Sequence, residues 1–264
     1  MGSNQSGSLV SEQLQQVQAL LRSGATRSAL ELLNRLESSH PGQVEALALR
    51  GAALSKLGKD EEAEQALRKA AELQPKSKRA AGDHAGVLLK LGRPDEALAV
   101  LVDQLPPAET QARGPEDAAF NFNLGRAYKA CGRAADAVLP LQQTLVVKPR
   151  HYAALVTLGD VYKALGDPQQ AAGCFRRALE INPANGAAWW SLSNLKAGSF
   201  SDAEFGALQQ MALQATASEQ QVFFDFALAS GFDQRHELEA AFAHYFAGNR
   251  RKRQLQKPRP WDRD

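Results

Sequence analysis

The sequence predicts an all-α fold, a right-handed superhelical solenoid of about seven helix pairs. Three observations predict it. Shifting residues 118–185 by 34 positions superimposes Leu124, Gly125, Tyr128, Lys129, Gly132, Ala137 and Pro149 on Leu158, Gly159, Tyr162, Lys163, Gly166, Ala171 and Pro183. Within each period the apolar and small residues fall three and four apart, the spacing that puts them on one face of a helix. A proline then closes the period, which stops a helix and redirects the chain.

Numbering one unit from Ala118 and the next from Tyr152, positions 4, 7, 8 and 11 are Asn121, Leu124, Gly125 and Tyr128, then Leu155, Leu158, Gly159 and Tyr162. They form one face of a first helix. Positions 20, 24 and 27 (Ala137, Leu141 and Thr144, then Ala171, Phe175 and Ala178) form the facing stripe of a second. Small residues at positions 8 and 20 let the two axes approach closely. A period of 34 carrying Leu-Gly-x-x-Tyr, then Ala, then Pro resembles the tetratricopeptide repeat, which implies two antiparallel helices per unit and a protein-holding function.

Taken in order, residues 1–9 read as a disordered leader without a signal-peptide pattern. Residues 10–185 hold five units. The first, from Val10, is degenerate: Gly24, Ala29, Leu33 and Pro41 hold their places, but Val17 occupies the small position 8. The second starts at Val44 and is regular (Gly51, Gly58, Ala63, Leu67, Pro75). The third starts at Lys78, with Ala85, Gly92, Ala97 and Leu101, and its second helix is expected to end near Leu105. Six extra residues within 106–117, rich in Pro and Gly, interrupt the period and read as a loop. Residues 186–255 contain a degenerate sixth unit and a terminal helix pair. Gly198-Ser199-Phe200 breaks the sixth unit. Ser201 with Glu204 has the spacing of a capping box for a helix reaching about Ala215. Leu228, Ala229, Phe232, Ala241, Tyr245 and Gly248 then restore positions 7, 8, 11, 20, 24 and 27. Residues 256–264 read as a disordered tail.

A second resemblance covers the C-terminal third. Ala188-Trp189-Trp190-Ser191-Leu192, Asn194-Leu195-Lys196, Phe200-Ser201-Asp202, Phe226-Ala227-Leu228, Ala240 to Tyr245 and Gly248-Asn249 resemble, in order and spacing, the linker that follows the repeats in bacterial tetratricopeptide-repeat sulfotransferases. In that family a domain binding 3′-phosphoadenosine-5′-phosphosulfate comes next. Its phosphate-cradling loop is not found here, so the resemblance implies a non-catalytic region, either a truncated piece or a stand-alone relative.

Composition narrows the function. Charge nearly balances, with 31 Lys+Arg against 29 Asp+Glu and a net +2. This disfavours a broadly basic nucleic-acid binder. The two cysteines, Cys131 and Cys174, lie in different units without metal or redox spacing, which suits a reducing, cytoplasmic setting. No apolar run approaches the ~18 residues of a membrane span. The five histidines make no H-E-x-x-H, and no G-x-S-x-G or phosphate-loop motif occurs. No catalytic residue, metal ligand or cofactor is therefore expected, and the chain is not expected to be an enzyme.

Binding is the remaining reading. Positions 5, 9 and 12 of a first helix point away from the second helix, toward the concave face. They are Phe122, Arg126 and Lys129, then Val156, Asp160 and Lys163, then Trp190, Asn194 and Ala197. Tyr152 at position 1 marks the rim, and Lys56 and Lys90 at position 13 join the row. An aromatic, net-positive row suits a protein or extended peptide carrying acidic or C-terminal carboxylate groups. The basic run Arg250-Arg251-Lys252-Arg253 reads as a helix C-terminus favoured by the helix dipole, with nucleic-acid or membrane contact as the weaker alternative.

Overall fold

The computed structural model describes residues 2–104, 115–195, 199–216 and 218–255. Among them are fourteen α-helices and no strand. They group into two units, residues 1–147 and 148–264.

The first unit contains α1 (Gly2–Arg22), α2 (Thr26–Ser39), α3 (Val44–Lys56), α4 (Asp60–Leu73), α5 (Lys78–Lys90), α6 (Pro94–Val102), α7 (Pro115–Ala130) and α8 (Ala134–Val147). Successive helices pair as the period requires. The close approach at position 8 is visible in the geometry. A Cβ placed on Gly51 would lie 2.3 Å from Leu67 Cγ, and one on Gly125 would lie 2.5 Å from Leu141 Cγ. Ala29, Ala63, Ala97 and Ala137, all at position 20, are fully buried. In the first pair Val17 takes the glycine's place and is itself fully buried, in one cluster with Ala29 and Leu33.

Three boundaries differ from the sequence expectation. Helix α1 begins at Gly2 and so runs through the stretch read as a leader, because the amphipathic Val10–Arg22 stretch supplies a nucleus onto which further turns add cheaply. Helix α7 begins at Pro115, inside the stretch read as loop, since proline is well suited to a helix's first turn. Helix α6 ends at Val102, short of the expected stop near Leu105. Residues 105–114, which include most of the insertion, and the tail 256–264 lie outside the described residues.

The second unit contains α9 (Tyr152–Ala164), α10 (Pro168–Ile181), α11 (Gly186–Ser193), α12 (Asp202–Gln214), α13 (Ser218–Gln234) and α14 (Leu238–Leu255). Its core joins Phe175, Leu179, Trp189, Leu192, Phe200, Phe205, Leu208, Phe224 and Leu228. A Cβ on Gly159 would sit 2.8 Å from Phe175 Cε1, repeating the position 8 to 24 contact. Helix α11 is only eight residues long, ending before the Gly198 break. The capping box at Ser201 is present in both directions: the Glu204 amide donates to Ser201 Oγ and the Ser201 amide to Glu204 Oε2. Helix α13 packs against α11 and α14, and α12 lies against α13.

One turn recurs in six pairs. The residue at position 15 has positive φ: Gly24, Gly58, Gly92, Gly132 and Gly166 lie between +71° and +83°, and His236 holds the same place at +61°. The following amide donates to the carbonyl five residues back. Lys59 bonds Leu54, Arg93 bonds Leu88, Asp167 bonds Tyr162 and Glu237 bonds Phe232, at 2.9–3.0 Å. This is the left-handed cap that closes a helix and turns the chain. Its presence at His236 makes α13 and α14 a pair of the same kind as the others.

Candidate functional site

In the first unit the predicted row lies on α7 and α5. Phe122 and Arg126 are half-buried, one turn apart, with the guanidinium carbon 5.5 Å from the ring centroid. Arg126 Nη1 also donates to Asn123 Oδ1 at 3.2 Å, and Asn123 Nδ2 donates to the Gly82 carbonyl of α5 at 2.9 Å. The cation is thus held on two sides. Burial pulls its pKa below the usual arginine value, but a guanidinium stays charged through any physiological range. Lys129 is exposed on the next turn.

Lys90 and Lys56 are less free than the sequence suggests. Lys90 Nζ donates to Ser55 Oγ at 2.5 Å and stands 3.9 Å from Asp60 Oδ1. Lys56 Nζ donates to the Leu21 carbonyl at the end of α1. Both position 13 lysines therefore tie one first helix to the end of the preceding one.

A feature the sequence reading passed over lies beside them. Positions 5 and 9 of the second and third repeats are Ala48, Ala52, Gly82 and Gly86. A Cβ on Gly82 would come within 3.5 Å of Phe120 Cα, and one on Gly86 within 3.2 Å of Asn123 Nδ2. A cleft opens between α3 and α5, lined by Glu45, Ala48, Arg79 and Asp83. The signal was available in the run of small residues at lining positions.

In the second unit Tyr152 and Asp160 are half-buried and Lys163 is exposed on α9. Burial pushes the Tyr152 hydroxyl pKa up. Val156 packs against the core cluster. Trp190 of α11 is half-buried and tilted at 39° against Phe226 of α13, with centroids 5.0 Å apart, and Tyr245 of α14 follows at 6.5 Å from Phe226. Phe226 stands at position 5 of its unit, the place held by Trp190, Val156 and Phe122 in theirs. The register set by Leu228 at position 7 contained this information. Asn194 is exposed, and its amide nitrogen donates to the Trp190 carbonyl, which caps α11. Ala197 lies outside the described residues.

The basic run is not uniform. Arg250, Lys252 and Arg253 are exposed. Arg251 turns inward and its Nη1 donates to Asp225, a carboxylate only 3% exposed. His244 Nδ1 stands 3.4 Å from the other carboxylate oxygen.

Among the described residues no group of three or more His, Cys, Asp or Glu side chains could hold a metal ion. No described helix is long and apolar enough to cross a membrane.

Profiles described as tetratricopeptide repeat match residues 14–78, 61–108 and 83–153, and a further one matches 152–185. The chain belongs to the tetratricopeptide repeat family. No curated protein matches the sequence. Solved tetratricopeptide neighbours agree with the fold. A MamA chain from Desulfovibrio magneticus RS-1 shares 25% identity at a TM-score of 0.52, covering 66% of this chain and 96% of that one. Pseudomonas aeruginosa pilF aligns at a TM-score of 0.65 with 17% identity over 81% of this chain and 96% of its own. PilW, a type IV pilus biogenesis factor, aligns at 0.63 with 18% identity over 78% of this chain and 91% of its own. The last two likenesses concern the fold alone.

Proposed function

We propose that this tetratricopeptide protein is a non-catalytic scaffold that binds an extended segment of a partner protein on its first-helix face. The observation that carries the reading is the Phe122–Arg126 stack. A half-buried aromatic ring and a cation held over it by Asn123 form a preorganised contact for an apolar side chain next to a carboxylate. Lys129 and Lys163 add positive charge, and Tyr152, Asp160, Trp190, Phe226 and Asn194 supply further polar and aromatic surface in the second unit. Lys90 serves this face indirectly, by fixing α5 to the end of α3.

The test is capture from native extract by the intact chain, followed by mapping of the captured segment with synthetic peptides. Two variants run beside it: Phe122→Ala with Arg126→Ala, and Lys163→Ala with Trp190→Ala. The expected result is a peptide held by the intact chain and weakened at least about tenfold by the first variant, with unchanged circular dichroism. Binding by the first variant as tight as that of the intact chain would overturn the assignment.

A second reading treats the chain as the acceptor-presenting region of a sulfotransferase. The order of residues 186–249 favours it, together with the separate α12 helix that the Ser201 capping box starts. It predicts that the reading frame continues beyond Asp264 into a phosphate-binding loop, and sequencing the gene tests that directly.

A further inference from the structure

The outer face of α14 is built like a covered surface, yet nothing among the described residues covers it. In the fifth repeat, positions 21 and 28 are Ala172 and Leu179. They are 2% and 6% exposed, in one cluster with Ala188, Trp189 and Leu192 of α11. The corresponding positions of the last pair are Phe242 and Asn249. Phe242 is 71% exposed, Phe246 61% and Leu238 65%, with Tyr245 at the edge. Leu238, Phe242, Tyr245, Phe246, Asn249 and Arg253 recur at intervals of three and four, so they share one stripe. The opposite stripe, with Ala241, Gly248 and the inward-turned Arg251, faces α13. Exposed large aromatics in such a row mark an interaction surface rather than solvent-facing helix.

The charges on this helix identify what fits the stripe. Glu239 flanks it near the start of α14, and Arg250 lies on the same flank near the end, eleven residues later. The midpoint of these two residues falls between His244 and Tyr245, and Phe242 and Phe246 bracket nearly the same point. A second α14 laid antiparallel about a twofold axis through that point brings like flanks together. Each Glu239 then meets the other copy's Arg250, and the phenylalanines meet at the centre. A parallel arrangement would set opposite flanks together and keep Glu239 away from the other copy's Arg250. We propose that the α14 stripe is a self-association surface, pairing antiparallel with α14 of a second copy of this chain. The contact is isologous, so it closes on itself as a dimer. It also gives Arg250 of the basic run a partner.

Sedimentation equilibrium of the full chain over a concentration series tests this. The intact protein is expected to dimerise reversibly. Phe242→Glu with Phe246→Glu is expected to raise the dissociation constant about tenfold or more, because two phenylalanines leave the centre and charge replaces them. Both sites are exposed, so circular dichroism is expected to match the intact chain. Charge reversal supplies a second, milder probe. Glu239→Arg alone and Arg250→Glu alone each set like charges against each other and are expected to weaken the dimer about three- to tenfold. The two changes made in one chain restore opposite charges across the axis and are expected to recover the original constant. A chain that remains monomeric at every concentration would overturn the proposal and leave this face to a different protein. So would a dimer indifferent to the phenylalanine pair, or a double reversal no tighter than the single ones. None of these changes touches Phe122, Arg126 or Lys163, so failure here is separable from failure of the peptide-binding reading.

Discussion

Replacing Gly125 by Ala tests the packing on which every unit depends. Alanine is the better helix former by about 0.8–1.0 kcal/mol, so at an unhindered site the change stabilises. Here the new methyl carbon would lie 2.5 Å from Leu141 Cγ and 2.8 Å from its Cδ2. An ordinary carbon contact is roughly 3.5–4.0 Å, so Leu141 must retreat by about 1 Å. Leu141 is fully buried, and the crowded atom is the branch point, not a free tip. Overpacking of this kind costs about 1–3 kcal/mol. With the retreat near 1 Å the upper half of that range applies, and the net loss is about 1–2 kcal/mol. The informative step is the second background. In Leu141→Ala the obstructing atoms are gone, and Gly125→Ala there is expected to stabilise by about 1 kcal/mol. The two changes thus couple by roughly 2–3 kcal/mol in a double-mutant cycle read by urea denaturation. The same sign in both backgrounds would refute the account of position 8 as a packing glycine.

Four further outcomes follow from the described geometry. His236→Gly is expected to raise stability by about 0.5–1 kcal/mol, since His236 holds a φ of +61° where the other turns use glycine; thermal melting reads the gain. Arg251→Ala is expected to cost about 2 kcal/mol by leaving the buried Asp225 carboxylate poorly matched, less than for a fully buried pair because Arg251 is a third exposed, whereas Lys252→Ala is expected to stay within about 0.5 kcal/mol. For Glu204, burial pushes the pKa up, but the Arg176 hydrogen bond, the Ser201 amide and the Ser201 hydroxyl outweigh it and hold the carboxyl below its usual 4.5. A depressed folded pKa means the contribution is full above 4.5 and fades as pH falls below it; melting temperatures of the intact chain and Glu204→Gln are expected to differ at pH 7 and to converge in acid. Burial pushes the Cys174 thiol up to about 11, so alkylation followed by mass spectrometry is expected to label it only on unfolding, after the more exposed Cys131.

The parts of the fold that repeat were legible because their causes are local. Gly51, Gly125 and Gly159 sit opposite Leu67, Leu141 and Phe175 sixteen residues later, and the same turn forces that pairing each time. The capping box at Ser201 needed only four residues to be read. The start of α7 was less clear, since Pro115 signals a loop and a helix start equally well. Which helix carries each residue of the candidate row was legible, but not what that residue bonds. Arg126 reaches Asn123 on its own helix, and Asn123 bonds a carbonyl 41 residues away. Lys90 finds Ser55 and Asp60 on the preceding unit, and Arg251 finds Asp225 across a helix pair. Such contacts depend on how neighbouring helices approach, which a periodic pattern constrains only on average. Phe226 differs from these: the register set by Leu228 at position 7 places it at position 5 of the last pair, so its signal is local.

The recurring turn has a use in measurement. The amides of Ala25, Lys59, Arg93, Arg133, Asp167 and Glu237 each donate to the carbonyl five residues earlier. Such a bond breaks only when its own helix pair opens. Hydrogen–deuterium exchange at these six amides therefore reads the opening free energy of six helix pairs separately, with one chemically similar reporter in each. A protein of stacked units loosens unit by unit rather than all at once. The six rates would rank its pairs from the most persistent to the first to fray, and a bound peptide or second copy would be located by the reporters it slows.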